Sequence, residues 1–361
     1  MVELVAATSC ISCGSTDIRN KRRYDRSVRT LHGVKTVEVT QHECRDCKKT
    51  FTDEIRDVKH GVQISDEVKE TAVDIYMDGP DLEGVKRVMG KFGVRISAGA
   101  IWYAISALGK AARKAYNRIV RLIKPSEFVC IDEKFVSVHG KKRPQLFVID
   151  PNTGIPLAEK LLRNREEGTI LNILRRVKRM GVRVISTDDL KSYAPAIKKA
   201  GMRHHKCHFH AEHTFLKRMK RAHIQKKRKG KFINWCHKFL GSKDRKEASA
   251  RRRVLGRVKD RKLDRFMQSF LYDWRDYFTY LEFEGCPKTT NPVEQYNRRY
   301  EQKRQTMHGF RKERTAREFN ALFALHSMFR KFEEGTHKGL SPLEIANVRL
   351  ESTNAFAFLK E

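Results

Sequence analysis

Apolar spacing changes period along this chain, and the changes mark its parts. Near the N-terminus the pattern is short and alternating: Thr36-Val37-Glu38-Val39-Thr40 puts its apolar residues on one face of a strand, and Tyr24-Asp25-Arg26 suggests another. From about Ser65 to Ile123 the period turns helical. Asp81 can cap a helix whose apolar positions Val85, Val88, Met89 and Phe92 share one face, and Ser97 can cap a second with Ile101, Ala104, Ile105 and Leu108. Two short helices around Gly93-Val94-Arg95-Ile96 predict a helix-turn-helix, which would offer Trp102, Tyr103 and Ser106 to a major groove. A plain helical linker is the alternative.

Pro125 marks a boundary, after which strands and helices alternate. Phe128 to Val138, Gln145 to Asp150 and Ile155 to Leu162 read as three consecutive antiparallel strands, with turns at His139-Gly140-Lys141-Lys142 and Pro151-Asn152-Thr153-Gly154. A helix over Glu166 to Met180, with Ile170, Ile173, Leu174 and Val177 on one face, closes at Gly181. A strand over Val182 to Thr187, a helix over Lys191 to Ala200 and a strand over Arg203 to Phe209 complete an α/β order that lays helices against a mixed sheet. A basic helical interruption follows at about 214–288. It carries Lys226-Lys227-Arg228-Lys229 and Arg251-Arg252-Arg253 among Phe232, Trp235 and Phe239, then one amphipathic helix with Met267, Phe270, Leu271, Trp274 and Phe278. Helical spacing resumes at Glu294, turns at Gly309 and continues through Phe319, Leu322, Phe323 and Phe329; the last residues carry no pattern.

Charge narrows the class of partner. Against 43 acidic residues stand 76 Lys and Arg, a formal charge of +33 over 361 residues, which repels itself unless a polyanion is near. Nucleic acid is the obvious one, and the basic runs are read as phosphate-tracking surfaces. A membrane is a weaker rival, because no run approaches the roughly 20 apolar residues of a spanning helix. The start, Met1-Val2-Glu3-Leu4-Val5, lacks the basic opening and apolar stretch of a secretory signal, so a cytoplasmic location is expected.

Four of the 8 cysteines form two CxxC pairs, Cys10/Cys13 and Cys44/Cys47. Two such knuckles complete a closed tetrahedral Zn²⁺ site, so the first segment reads as a zinc ribbon whose fold depends on one structural ion. Three acids are harder to explain as decoration. Asp132 and Asp188 each close an apolar strand, and Glu294 lies one turn into a helix announced by Asn291-Pro292. Two strand ends and a helix can meet at one sheet edge, where carboxylates repel one another unless divalent cations sit between them. Hard oxygen ligands suit Mg²⁺ or Mn²⁺, and two such ions could drive phosphodiester chemistry. Glu294 also has a structural explanation, as the acid of a capping box begun by Asn291.

The segments Val129-Cys130-Ile131-Asp132-Glu133-Lys134-Phe135-Val136, Ser186-Thr187-Asp188-Asp189-Leu190-Lys191-Ser192-Tyr193 and Thr290-Asn291-Pro292-Val293-Glu294-Gln295-Tyr296-Asn297-Arg298-Arg299 resemble the three acid motifs of insertion-sequence transposases of the DDE superfamily. The resemblance covers most of the chain. It implies an RNase H-like catalytic domain with catalytic, metal-binding Asp132, Asp188 and Glu294, two Mg²⁺ or Mn²⁺ ions, cleavage of element ends and strand transfer into target DNA. A residue commonly glycine in that family, after the second acid, is Asp189 here; strand register favours Asp188, as it favours Asp132 over Glu133. Cys207-His208-Phe209-His210 is similar to a CxxH of the mutator-like branch, and Cys207 and His210 are expected to shape the wall beside the acids. The cluster His204, His205, Cys207, His208, His210 and His213 suggests a second zinc site, but a strand sends alternate residues to opposite faces, so only some of these could converge on one ion, and the wall role of Cys207 and His210 is the expectation. Tyr296, Arg298 and Arg299 are candidates for contacting the cleaved strand.

The expected organisation is therefore a ribbon over 1–58, a helix-turn-helix domain over 59–123, the catalytic domain with its insertion over 124–335, and a tail over 336–361. The expected partner is double-stranded DNA, both terminal inverted repeats and target. The enzyme would act as a homodimer or larger assembly on DNA, associated with the nucleoid. Two other classes remain: a DNA-binding regulator that no longer cuts, and an RNase H-like nuclease on branched DNA or RNA.

Overall fold

Alternating residues between Ile18 and Cys44 can bury one face only if two strands pair, and they do so in a long hairpin. The computed structural model describes residues 3–188, 192–257, 260–351 and 354–360. It divides into two units, Met1–Ala111 with Gln305–Met307, and Ala112–Arg304 with His308–Glu361.

The first unit opens with β1 (Leu4–Val5), β2 (Ile18–Thr30), β3 (Gly33–Cys44), β4 (Thr50–Thr52) and β5 (Glu54–Ile55). β3 pairs antiparallel with β2 and β4, and β1 pairs with β5. The hairpin strands are far longer than the segments 24–26 and 36–40 that alternate cleanly, because each supplies the other's backbone partners along its full length. Apolar burial here is small: Val28, Val39, Ile55 and Val58 form one cluster, and Cys10, Cys44 and Phe51 another.

Three helices follow: α1 (Asp66–Met77), α2 (Leu82–Lys91) and α3 (Ala98–Val120). The expected caps are present, with Asp81 accepting from the Gly84 amide at 2.7 Å and Ser97 Oγ from the Ala100 amide at 3.1 Å. Gly93, at φ 76°, turns the chain between α2 and α3. The second helix is not short. Seven alanines and no proline let α3 run 23 residues before Pro125. Val85 and Met89 are buried as expected, whereas Phe92 is at the C-cap, where the chain leaves the helix, and is 68% exposed.

The second unit holds β6 (Phe128–Val138), β7 (Lys141–Ile149), β8 (Pro156–Leu161), α4 (Glu167–Arg179), β9 (Val184–Thr187), α5 (Tyr193–Lys199) and β10 (Arg203–Lys206). His139 and Gly140, both with positive φ, make a two-residue hairpin turn, so Lys141 and Lys142 belong to β7 rather than to the turn. The sheet order is β10-β9-β6-β7-β8, with β7 antiparallel to both neighbours and β9 and β10 parallel to β6. An antiparallel meander extended by two parallel crossover strands is the RNase H-like arrangement.

The strand expected to reach Phe209 stops at Lys206. The Cys207 amide makes a last bond to the Thr187 carbonyl at 3.0 Å, and the Cys207 carbonyl then accepts from Ala211, opening α6 (His208–Arg221). α7 (Lys226–Leu240), α8 (Arg245–Gly256), α9 (Asp264–Tyr272) and a 3₁₀ segment (Trp274–Glu282) complete the insertion. The single helix expected through Phe278 breaks at Asp273, where ψ is 43°. Phe215, Phe232, Phe239, Phe270, Tyr277 and Phe278 give the insertion a core of its own. Beyond it lie α10 (Asn291–Gln305), α11 (Glu313–Phe329), α12 (Pro342–Ile345) and α13 (Ala355–Lys360). The patternless C-terminus is anchored: Phe356 and Phe358 are buried, and the Arg118 guanidinium stacks 4.2 Å from the Phe358 ring. No described helix is long and apolar enough to cross a membrane.

Candidate active site

Parallel pairing of β6 with β9 runs up to the segments that carry Asp132 and Asp188. Phe128 pairs with Val184, Val129 with Ile185 and Cys130 with Ser186. The pairing ends there: Asp132 lies two residues further along β6, and Asp188 is the first residue beyond β9. Glu133 necessarily faces the other way. It is buried and held by Tyr193 Oη at 2.8 Å and Arg165 Nε at 2.6 Å, so it is committed elsewhere. Asp189, the neighbour of Asp188, lies outside the described residues.

The third acid is brought by packing. Phe147 is directly across from Asp132 on β7, and the rings of Tyr296 and Tyr300 meet it edge-on at 5.0 and 4.8 Å. Those two tyrosines, one turn apart, seat α10 over the Asp132 position. Asn297, fully buried on the same helix face, then donates from Nδ2 to Asp132 Oδ2 at 2.7 Å. Glu294 lies one turn before Asn297. Tyr296 is therefore a core residue, 2% exposed, and not a group that touches a cleaved strand.

Glu294 is not held as a capping-box acid. Asn291 is already the first residue of α10, and Thr290 precedes it; the Glu294 carboxylate accepts from the Thr290 hydroxyl at 3.0 Å. That hydroxyl is also 3.3 Å from Cys207 Sγ and 3.4 Å from His210 Nδ1. Cys207 and His210 occupy the start of a helix, one turn apart, so they converge instead of alternating. His210 Nδ1 is 3.7 Å from Glu294 Oε1. The hydrogen bond to Cys207 raises the His210 pKa to about 9 against the opposing effect of burial, aided by the charges of Cys207, Glu294 and Asp188. Burial, then the charges of Glu133, Asp188 and Asp132, push Tyr193 well up. Asp188 thus acts electrostatically both on the His210–Glu294 side and on the Asp132 side.

Among the described residues, two groups have ligand atoms all within 4.8 Å of one another: Cys10, Cys13, Cys44 and Cys47, and Cys207, His210 and Glu294. Asp132, Asp188 and Glu294 are not so tightly gathered. The other histidines serve the fold. His204 meets Thr187 Oγ1 at 2.9 Å, His205 lies between the Asp276 and Lys288 carbonyls, and His208 reaches the Tyr277 carbonyl at 2.6 Å, pinning the 3₁₀ segment to β10. His213 stacks on Phe209.

The Transposase IS66 family matches residues 68–318, well over half of the sequence. The chain belongs to the IS66 transposase family. No curated protein matches it. Fourteen chains of solved structures do. One is the catalytic core domain of BIV integrase, 12% identical, with the alignment covering 49% of this chain and 98% of that one at a TM-score of 0.20. A likeness of that size carries no functional argument.

In this IS66-family chain the ribbon thiols fit a single tetrahedral ion. Cys10 Sγ to Cys47 Sγ and Cys13 Sγ to Cys44 Sγ are both 3.6 Å, close to the ~3.8 Å edge of a tetrahedron with 2.3 Å metal–sulfur bonds. All eight cysteines are free of disulfides. On α3, Ile101, Ala104 and Ile105 are buried while Trp102 and Tyr103 are 36% and 68% exposed and Ser106 is half-buried, so one face is left outward. The basic runs are less uniform than their composition. Lys226 is exposed and Lys229 half-buried, Arg228 pairs with Asp260 at 3.3 Å, and the side chain of Lys227 lies outside those described. Arg251 binds the Lys238 carbonyl and Glu247, and Arg252 stacks on Trp274 at 5.7 Å; Arg253 is exposed. Arg298 is exposed and Arg299 lies over Tyr296. Asn297 and Thr290 fall inside the third acid motif, but the sequence assigns neither a role; the signal for Asn297 is its place one turn after Glu294.

Proposed function

We propose that this transposase-family chain is a DNA-cutting and DNA-joining enzyme whose catalytic acids are Asp132, Asp188 and Glu294. The observation that supports the reading is the Asn297 bond tying Asp132 to the helix of Glu294, with Asp188 directly after β9, the parallel neighbour of β6. The donors are all carboxylate oxygens, which suits Mg²⁺ or Mn²⁺. Two ions bound there would stabilise charge on the phosphoryl oxygens and on the leaving oxygen, and make the attacking water or 3′ hydroxyl more acidic.

The chain's own residues do the rest. Asn297 and the Glu133 amide, at 2.7 Å, fix the two oxygens of Asp132, leaving outward lone pairs for a cation. Thr290 orients Glu294. Lys134, 3.9 Å from Asp132, and exposed Arg298 offer positive charge to a phosphate. The ribbon thiols would hold one structural Zn²⁺, and the outward face of α3 with Trp102, Tyr103 and Ser106 would meet the terminal inverted repeats. A charge of +33 supports double-stranded DNA as partner, and two ends to be joined support a dimer or larger assembly on DNA.

Purified protein with labelled element-end DNA and Mn²⁺ tests this. Cleavage and strand transfer are expected, both lost in Asp132→Ala with DNA binding retained. An Asp132→Ala protein that still cuts would reject the assignment. Binding without cleavage by the wild type would instead mark a silent regulator, and hydrolysis of branched DNA alone a nuclease.

A further inference from the structure

Cys207, His210 and Glu294 bring sulfur, nitrogen and oxygen ligand atoms within 4.8 Å of one another from two elements far apart in sequence. The Thr290 hydroxyl touches all three, 3.3 Å from Sγ, 3.4 Å from Nδ1 and 3.0 Å from Oε1. The hydroxyl and amide of Thr290 thus hold a sulfur, an imidazole nitrogen and a carboxylate oxygen close enough together to share one ion. Cys207 is 2% exposed and has no disulfide partner, while the side chains of His210 and Glu294 are about one-third exposed, which leaves a route for an ion and its water.

We propose that these three residues form a second metal site, one that takes a thiophilic divalent cation of the zinc or cobalt kind. Thiolate and imidazole together select such ions over Mg²⁺, and three protein ligands plus water make an open, exchangeable site, unlike the all-sulfur ribbon. The Thr290 amide and hydroxyl supply the outer hydrogen bonds that orient Cys207 and Glu294. An ion here removes Glu294 from the hard ions, so the site is inhibitory; this consequence, unlike the binding itself, rests on Glu294 being catalytic.

The test is Co²⁺ titration of full-length protein whose ribbon is already loaded with zinc. A sulfur-to-cobalt charge-transfer absorption in the near ultraviolet is expected, and is lost in both Cys207→Ser and His210→Ala; the latter leaves the buried thiol untouched, and circular dichroism checks that each variant is folded. Absence of the band in the wild type, or its persistence in folded Cys207→Ser, overturns the proposal. DNA cleavage in excess Mg²⁺ is followed in parallel, each protein's rate with Zn²⁺ taken relative to its own zinc-free rate, with loss expected for the wild type and resistance for Cys207→Ser. A cobalt band accompanied by normal cleavage from Glu294→Gln leaves the metal site standing and removes the catalytic reading of Glu294.

Discussion

Replacing Asn297 by alanine separates function from stability. The side chain is fully buried, its Nδ2 donates to Asp132 at 2.7 Å, and its Oδ1 has no hydrogen-bond partner among the described residues. A hydrogen bond to a charged group contributes about 1.5–3 kcal/mol, and a buried unsatisfied acceptor costs about 1–3 kcal/mol. In the folded protein these nearly offset, since Asp132, 17% exposed, can turn to water once released. Asn297→Ala is expected to melt within about 1 kcal/mol of the wild type, a shift of roughly 2–4 °C in a unit of this size. Cleavage behaves otherwise. If the bond holds Asp132 in its metal-binding pose, its loss converts to about 10- to 100-fold in rate at limiting Mg²⁺. The Mg²⁺ concentration for half-maximal cleavage should rise by about 10- to 100-fold, as for other outer-shell partners. The assay is single-turnover cleavage of element-end DNA across a Mg²⁺ series, beside calorimetric melting. Unchanged Mg²⁺ dependence, or a rate loss that merely tracks a large fall in melting temperature, refutes the positioning role.

The basic runs should divide by their contacts: Arg253→Ala is expected to lower the slope of log affinity against log salt by about 1 in a DNA-binding titration, whereas Arg252→Ala, which removes the stack on Trp274, should leave the slope and cost about 0.5–1 kcal/mol in stability. Tyr103→Ala should weaken binding to element-end DNA without moving the melting temperature, the reverse of what a core tyrosine would give. In the ribbon, burial pushes the Asp53 carboxyl up, but hydrogen bonds from the Ala7 amide, His42 and the Thr40 amide hold it below its usual value. Its stabilisation is therefore complete above the unfolded pKa of about 4 and lost as pH falls through the lower folded value, so the stability difference between wild type and Asp53→Asn, measured by denaturant titration, should shrink in acid.

What the sequence made legible follows from how locally each feature is specified. β6 is bounded by a proline-led loop and a positive-φ turn, and α4 closes on Gly181 at φ 99°, so both could be delimited from neighbouring residues alone. The expectation that both aspartates close a strand holds only for Asp188, directly after β9; Asp132 is the fifth residue of the longer β6, paired with Phe147, because β7 continues the ladder past it to Val138. The features that were missed depend on partners distant in sequence. The hairpin outgrows its own alternation because β2 and β3 satisfy each other, and the C-terminal residues have no period of their own yet bury Phe356 and Phe358. Arg203 to Phe209 reads as one strand, but β10 is only as long as β9, and where Thr187 ends the ladder Cys207 turns into a helix. That single change of element converts a histidine-rich strand with outward and inward faces into a cysteine and a histidine on one helical turn.

The same junction explains how a large basic insertion can separate the second acid from the third without disturbing them. Cys207 and Thr290 are 83 residues apart in sequence, yet the Thr290 amide and hydroxyl both meet Cys207 Sγ at 3.3 Å, and the His208 amide bonds the Lys288 carbonyl at 3.1 Å. The insertion thus leaves and re-enters the sheet at one point. Because it folds around its own aromatic core, the entropy of closing so long a loop is offset inside the insertion and grows only slowly with its length. Glu294 then follows Thr290 by one helical turn, so its position is set by the latch rather than by the intervening chain. The sequence distance between Asp188 and Glu294 says little about their separation in space, and the catalytic reading depends instead on two short-range facts, the Asn297 bond that ties Asp132 to α10 and the sulfur–hydroxyl contact that holds Thr290 at its start.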